Sequence, residues 1–268
     1  MRTVSFAAFA RLLAGATLIA MGSSTYAAST WNLGGCATAT AIGPYSSANT
    51  GCTGSLAGNT AHAYAWATTG SGSTFAAATL ETSGAGSGFR VKAAGESTDS
   101  PQHAMDNSGA TKLIAFHFDI AVALDKIILG WTQNDADITV MAYLGAGAPS
   151  GFIQGKTVSN LTTGGVASGW ALIENSGDVD AGSGDTGGTP ASSTDITRTV
   201  NGGNVVSSWW LISAYNVGYG GGTLDNLSDF VKILSISSKD VSKVAEPGSL
   251  ILLSAGLLGL VVVRRRRT

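Results

Sequence analysis

Between His62 and Ser237 the apolar residues come in short bursts. They are rich in β-branched and aromatic side chains and are cut apart by clusters of Gly, Ser, Asn and Asp. This is the pattern of β-strands and turns. It predicts strands over 62–68, 74–80, 88–93, 112–118, 126–131, 137–144, 168–174, 195–200, 207–215 and 230–237. Alternation sharpens some of these: in the 112–118 run Ile114, Phe116 and Phe118 share one face, leaving His117 on the opposite, wetter one. In 230–236, Phe230, Lys232, Leu234 and Ile236 alternate with Val231, Ile233 and Ser235, as if both faces were partly covered. No stretch longer than ten residues keeps a helical period before the C-terminal tail. The expected fold is all-β, a single β-sandwich with jelly-roll or Greek-key connections. The glycine-rich segments 177–190 and 216–222 are expected as surface loops, and 238–244 as a short stalk.

The two ends of the chain follow other rules. At the start, Arg2 and Arg11 make a positive region and residues 12–21 are apolar or small. Thr25-Tyr26-Ala27 then supplies small residues where a signal peptidase needs them. Residues 1–27 therefore predict a secretory signal peptide. At the other end, Glu246-Pro247 precedes sixteen uncharged residues from Gly248 to Val263, and four arginines follow, Arg264, Arg265, Arg266 and Arg267. As a helix that run reaches about 24 Å at ~1.5 Å per residue, short for a hydrocarbon core of ~30 Å. Snorkelling arginine stems recover part of the difference. The arginines orient such a transmembrane helix with its C-terminus in the cytoplasm.

The order acidic-proline signal, brief apolar helix, arginine cluster closely resembles the PEP-CTERM sorting tail of Gram-negative bacteria that make extracellular polysaccharide. In that family a membrane enzyme, the exosortase, reads the tail. The resemblance implies that residues 244–268 are removed or exchanged near Glu246 and Pro247 and that the body passes to the cell surface or extracellular matrix. Ala245 stands where the family usually carries its first proline. A second resemblance lies inside the body. Pro101-Gln-His103-Ala104-Met-Asp106-Asn107, then Leu129-Gly130-Trp131 and Asp135-Ala-Asp137, is similar to exosortase-dependent surface proteins with a Pro-x-His-Ala-x-Asp-Asn element followed by Leu-Gly-Trp and Asp-x-Asp. It implies family membership and no particular activity.

Charge narrows the functional classes. Residues 28–243 carry nine Lys/Arg against sixteen Asp/Glu, a net of −7. An acidic body with no basic stripe argues against nucleic acid. The two cysteines, Cys36 and Cys52, both fall in the exported part, where an isolated pair is expected to form one disulfide worth ~3 kcal/mol. Asp135 and Asp137, two apart, point to one face of an extended chain. With Asp106, Asn107 and His103 of the preceding loop they form a candidate Ca²⁺ set, set against the plainer reading that Asp106-Asn107 and Asn134-Asp135 shape turns. Asp178-Val-Asp180-Ala-Gly-Ser-Gly-Asp185 has the front half of a calcium loop without its closing Glu. Trp209 and Trp210, adjacent on a predicted strand, point to opposite faces, so one of them is a candidate for stacking on a sugar. His62, His103 and His117 are scattered. Asp135, Asp137 and Glu174 are carboxylates that no spacing brings together as a glycosidase pair, and no nucleophile elbow is present.

The sequence thus predicts three parts: a signal peptide at 1–27, a β-rich body at 28–243 and a sorting tail at 244–268. The expected protein is non-catalytic and exported. It is held at the inner membrane through 248–263 before processing by the exosortase, and then associated with an exopolysaccharide or biofilm matrix. The alternative is a carbohydrate-binding or adhesive module with a calcium-stabilised loop.

Overall fold

The computed structural model describes residues 28–34, 36, 58–70, 73–82, 86–96, 104–146, 149, 153–162, 169–177, 196–222, 224, 225 and 227–240, with the backbone alone of the short strands 25–26, 41–42, 50–53 and 241–242. The chain divides into two compact units, 1–25 with 242–268, and 26–241. Of the first unit only positions 25 and 242 are described. Of the predicted signal peptide only Thr25 and Tyr26 are described, and the membrane span 248–263 and the arginine cluster lie outside the described residues. Among the described residues no helix is long and apolar enough to cross a membrane.

The second unit is all-β, as its alternation predicts. In chain order its strands are β1 (Thr25–Tyr26), β2 (Ser29–Asn32), β3 (Ala41–Ile42), β4 (Thr50–Thr53), β5 (Thr60–Thr68), β6 (Phe75–Ala77), β7 (Thr79–Thr82), β8 (Phe89–Lys92), β9 (Met105–Asp106), β10 (Lys112–Asn134) and β11 (Ile138–Tyr143). A short helix α1 (Val158–Thr162) precedes β12 (Trp170–Ser176), β13 (Ile196–Thr199) and β14 (Ser207–Ala214). A 3-10 turn at Val217–Tyr219 leads to β15 (Asp229–Lys239) and β16 (Val241–Ser242).

Strand β10 organises the rest. Sequence reasoning splits it at 119–125, yet the chain runs on as one strand of 23 residues. Its first half lies between β5 and β14, with His117 opposite both His62 and Trp209. Its second half lies between β13 and β15. The register shifts between His117 and Val122 on one side and between Leu124 and Lys126 on the other. These irregularities bend the strand instead of ending it, which lets one strand serve two sets of neighbours. The exposed stretch at Asp119 and Ile120 marks the crossing. Strand β15 also runs on through Ser238 and Lys239, so the segment expected as a stalk begins inside the sheet.

Period-two alternation along the first half of β10 and its neighbours feeds two separate cores. Ile114, Phe116, Phe118, Trp210, Ile212 and Val140 enter the larger cluster, joined there by Trp31, Phe89, Leu124, Ile127, Leu129, Val231 and Ile233. Their sequence neighbours Leu113, Ala115, Trp209, Leu211 and Met141 enter the second, with Tyr64, Trp66 and Trp170. A slip of one residue would exchange the two sets. The second cluster is closed by Leu161 of α1, by Ile153 and by Tyr219 of the 3-10 turn. Thr162 Oγ1 donates to the Tyr219 carbonyl at 2.9 Å and ties the two covering pieces together. Gly88 sits at φ +80, and a Cβ there would fall 2.0 Å from the Ile233 carbonyl oxygen, so only glycine fits where β8 meets β15.

Candidate metal centre

Where β10 ends, the chain turns back on itself at Asn134, whose φ of 60° is left-handed. The Asp135 amide donates to the Gln133 carbonyl at 2.8 Å, closing a γ-turn that suits asparagine. This turn holds Asp135 and, two residues on, Asp137 against the start of β15. There the Phe230 amide donates to the Asp135 carbonyl at 3.1 Å, and the Tyr215 amide to the Asp137 carbonyl at 3.0 Å.

The carboxylates of Asp135, Asp137 and Asp229 meet at this junction, each offering an oxygen within 4.8 Å of the others. All three are sealed from solvent, at 1%, 0% and 1% exposure. The Asp137 amide donates to Asp229 Oδ1 at 2.7 Å. Asn107 Nδ2 donates to Asp229 Oδ2 at 2.6 Å and to the Tyr215 carbonyl at 2.8 Å, while the Asp229 amide donates back to Asn107 Oδ1 at 2.9 Å. Burial, then the charges of Asp137 and Asp135, pushes the Asp229 carboxyl up to about 9. The buried Arg198 guanidinium stands beside the group, donating to the Ala136 carbonyl at 3.4 Å. Such an arrangement has two chemical options: Asp229 keeps a proton, or that proton is exchanged for a divalent cation held by oxygens.

The sequence-derived set of Asp106, Asn107, Asp135 and Asp137 is therefore regrouped. Asp135 and Asp137 do converge. Asn107 is a hydrogen-bonding hub whose Oδ1 is turned to the Asp229 amide, not to the cluster. Asp106 faces away and accepts from Lys112 Nζ at 2.6 Å and from the Ser108 amide at 3.1 Å. Lys112, 1% exposed along its side chain, also reaches Glu96 Oε1 at 2.6 Å. Burial raises Asp106 to about 6 even though Lys112 pulls it back. The residue missed from sequence is Asp229, 92 positions from Asp137. Its only local signal is a carboxylate next to the start of the predicted 230–237 strand.

Other expected site residues fall as follows. Trp210 is fully buried, its Nε1 donating to the Ser207 and Val122 carbonyls at 3.1 and 3.3 Å. Trp209 is 7% exposed. Their side chains do point to opposite faces, but each face is a core, so neither ring is offered to a sugar. Glu174 Oε2 accepts from the Asn201 amide at 3.1 Å, away from the aspartates. Cys36 is half-buried and Cys52 is described through its backbone alone, in β4, so their pairing lies outside the described residues. His103, the acidic loop 178–185 and the sorting residues Glu246, Pro247 and Arg264 to Arg267 lie outside the described residues.

The motif residues around the junction have structural reasons of their own. Lys232 Nζ lies over the Trp131 ring at 4.3 Å. A Cβ at Gly130 would fall 2.8 Å from that of Leu234 and 2.9 Å from the Gly86 carbonyl oxygen. Comparison with known proteins returns no matching family model, no matching curated protein and no matching solved structure.

Proposed function

We propose that this chain is an exported, non-catalytic surface protein whose body, a two-layer β-sandwich, is carried to the cell surface by a PEP-CTERM-like tail. The observation that carries the reading is the tail itself: Glu246-Pro247, sixteen uncharged residues, then Arg264 to Arg267. The described strands support it by running to Ser242, which leaves the acidic-proline signal just beyond the last strand. The sandwich is supported by β10, which serves a different pair of neighbours in each half and so can turn the larger core in between two layers. On this reading residues 1–27 and 244–268 are addresses, the exosortase is the processing partner, Cys36 pairs with Cys52, and the mature body resides in an exopolysaccharide or biofilm matrix. Intact mass of the surface-fraction protein tests it, measured in hosts with and without the exosortase. Loss of the mass beyond about Glu246 only when the enzyme is present supports the reading, and an unchanged tail in both hosts sinks it.

The aspartate junction favours a second feature of the same body, a structural Ca²⁺ held by Asp135, Asp137 and Asp229. Three carboxylates supply up to six hard oxygens at the crossing of β10, β11 and β15, which suits Ca²⁺ better than softer metals. Bound there, the ion would pin the turn at Asn134 to the opening of β15. Melting of the purified protein in millimolar CaCl₂ and then in excess chelator tests it: a rise that the chelator reverses is expected, and equal midpoints reject the site.

A further inference from the structure

A second cluster of ligand atoms lies on the other face of the same sheet from the larger core, outside everything proposed above. His62 on β5 and His117 on β10 are 55 residues apart in sequence and directly opposite in register. Asp119, two residues beyond His117, shares its face, and the diagonal closes with His62 Nε2 at 3.2 Å from Asp119 Oδ1. One ligand atom from each of the three lies within 4.8 Å of the others. We propose that His62, His117 and Asp119 form a surface binding site for a borderline divalent transition-metal ion, Zn²⁺ or Cu²⁺.

Three features of the surroundings carry this. The donor set is two imidazole nitrogens and one carboxylate oxygen, the chemistry of zinc and copper and not of calcium or magnesium. The site is open on one side: the side chains of His62 and Asp119 are 31% and 43% exposed, and the β4 position paired with His62 on its far side is Gly51, which has no side chain to cover it. Water or a substrate group can therefore complete the coordination. His117 is held from behind, its ring 4.4 Å from that of Trp209 at 30°, and Trp209 in turn meets Tyr64 at 5.7 Å. That aromatic wall fixes the inner imidazole while the two outer, part-exposed ligands keep freedom to close onto an ion.

The test uses the intact protein, stripped with chelator and dialysed, with ZnCl₂ followed by calorimetry and CuSO₄ by tryptophan fluorescence. One equivalent of each ion is expected to bind. His62→Gln or His117→Gln should weaken binding by more than about tenfold, as loss of one ligand of three requires. Cu²⁺ should quench Trp209, the indole against His117, and that quench should be lost in the H62Q/H117Q protein. Unchanged affinity in the doubly substituted H62Q/H117Q protein overturns the proposal, as does displacement of bound Zn²⁺ by millimolar Ca²⁺. Should a variant fail to fold, the electron paramagnetic resonance spectrum of the Cu²⁺-loaded wild type decides: two imidazole nitrogens uphold the site, and oxygen-only coordination rejects it.

Discussion

The buried aspartates and the open histidines each gather three ligand atoms within 4.8 Å of one another and differ in nearly everything else. Asp135, Asp137 and Asp229 are dry, hydrogen-bonded to the backbone amides of the turn between β10 and β11 and joined to Asn107, so changing them changes the fold around them. His62, His117 and Asp119 lie at the margin of the second core, with two of the three side chains substantially in water. The first group is expensive to build and tied to structure. The second costs the fold little and is free to vary its occupant. Burial, rather than the identity of the ligands, decides whether a polar cluster in this protein holds the structure or addresses the solvent.

The comparison breaks first at Asp229. Asp229→Ala removes an acceptor from both the Asp137 amide and Asn107, and is expected to cost about 3–5 kcal/mol in urea unfolding, the range for removing one partner from a buried charged network. Asn107→Ala should follow at about 2–3 kcal/mol, since it strips the Asp229 carboxylate and the Tyr215 carbonyl of one donor. If the two residues act as one unit, the double variant will cost measurably less than the sum of the singles. Asp106 supplies the next test. Its folded value, about 6, lies above its ordinary 3.8, so the stability it contributes is fully present below about 3.8 and is lost as pH rises through 6. Wild-type stability should therefore fall by at most about 3 kcal/mol across that window through this group, and denaturation at pH 4 and 6.5 should show the slope missing in Asp106→Asn. The smallest effect belongs to the open cluster. His62→Ala, which loses a half-exposed partner of Asp119, should shift metal-free stability by less than about 1 kcal/mol. A loss as large as that of Asp229→Ala would erase the distinction drawn here.

Strands were legible wherever burial alternates. Ile114, Phe116 and Phe118 declare one face of β10, and the runs at 207–215 and 230–237 were bounded to within about two residues of β14 and β15. The join in β10 was not legible, because Asp119 and Ile120 at the bend look like the polar end of one strand and the start of another. Two short pieces, β2 and β9, were missed for a different reason: each is held by its pairing with β15 and has too few residues to show a period. At the candidate sites, Asp135 and Asp137 could be read because the chain itself sets them two apart. Asp229 and the pairing of His62 with His117 could not, since both depend on strand register across long separations. Trp209 and Trp210 were placed on opposite faces correctly, but nothing local reveals that both sides of β14 are covered.

One consequence of the strand pairing is mechanical. Ser29, at the start of β2, is opposite Ser238, near the end of β15, so the body is entered and left at one point on its surface. A pull between those two points would part the β2–β15 pairs one after another, a weak direction. A pull on the end of β15 against the far side of the body would instead load its ten paired positions with β10 along the strand axis, all resisting together. A protein held by its C-terminal side under flow would feel drag along that second, stronger direction.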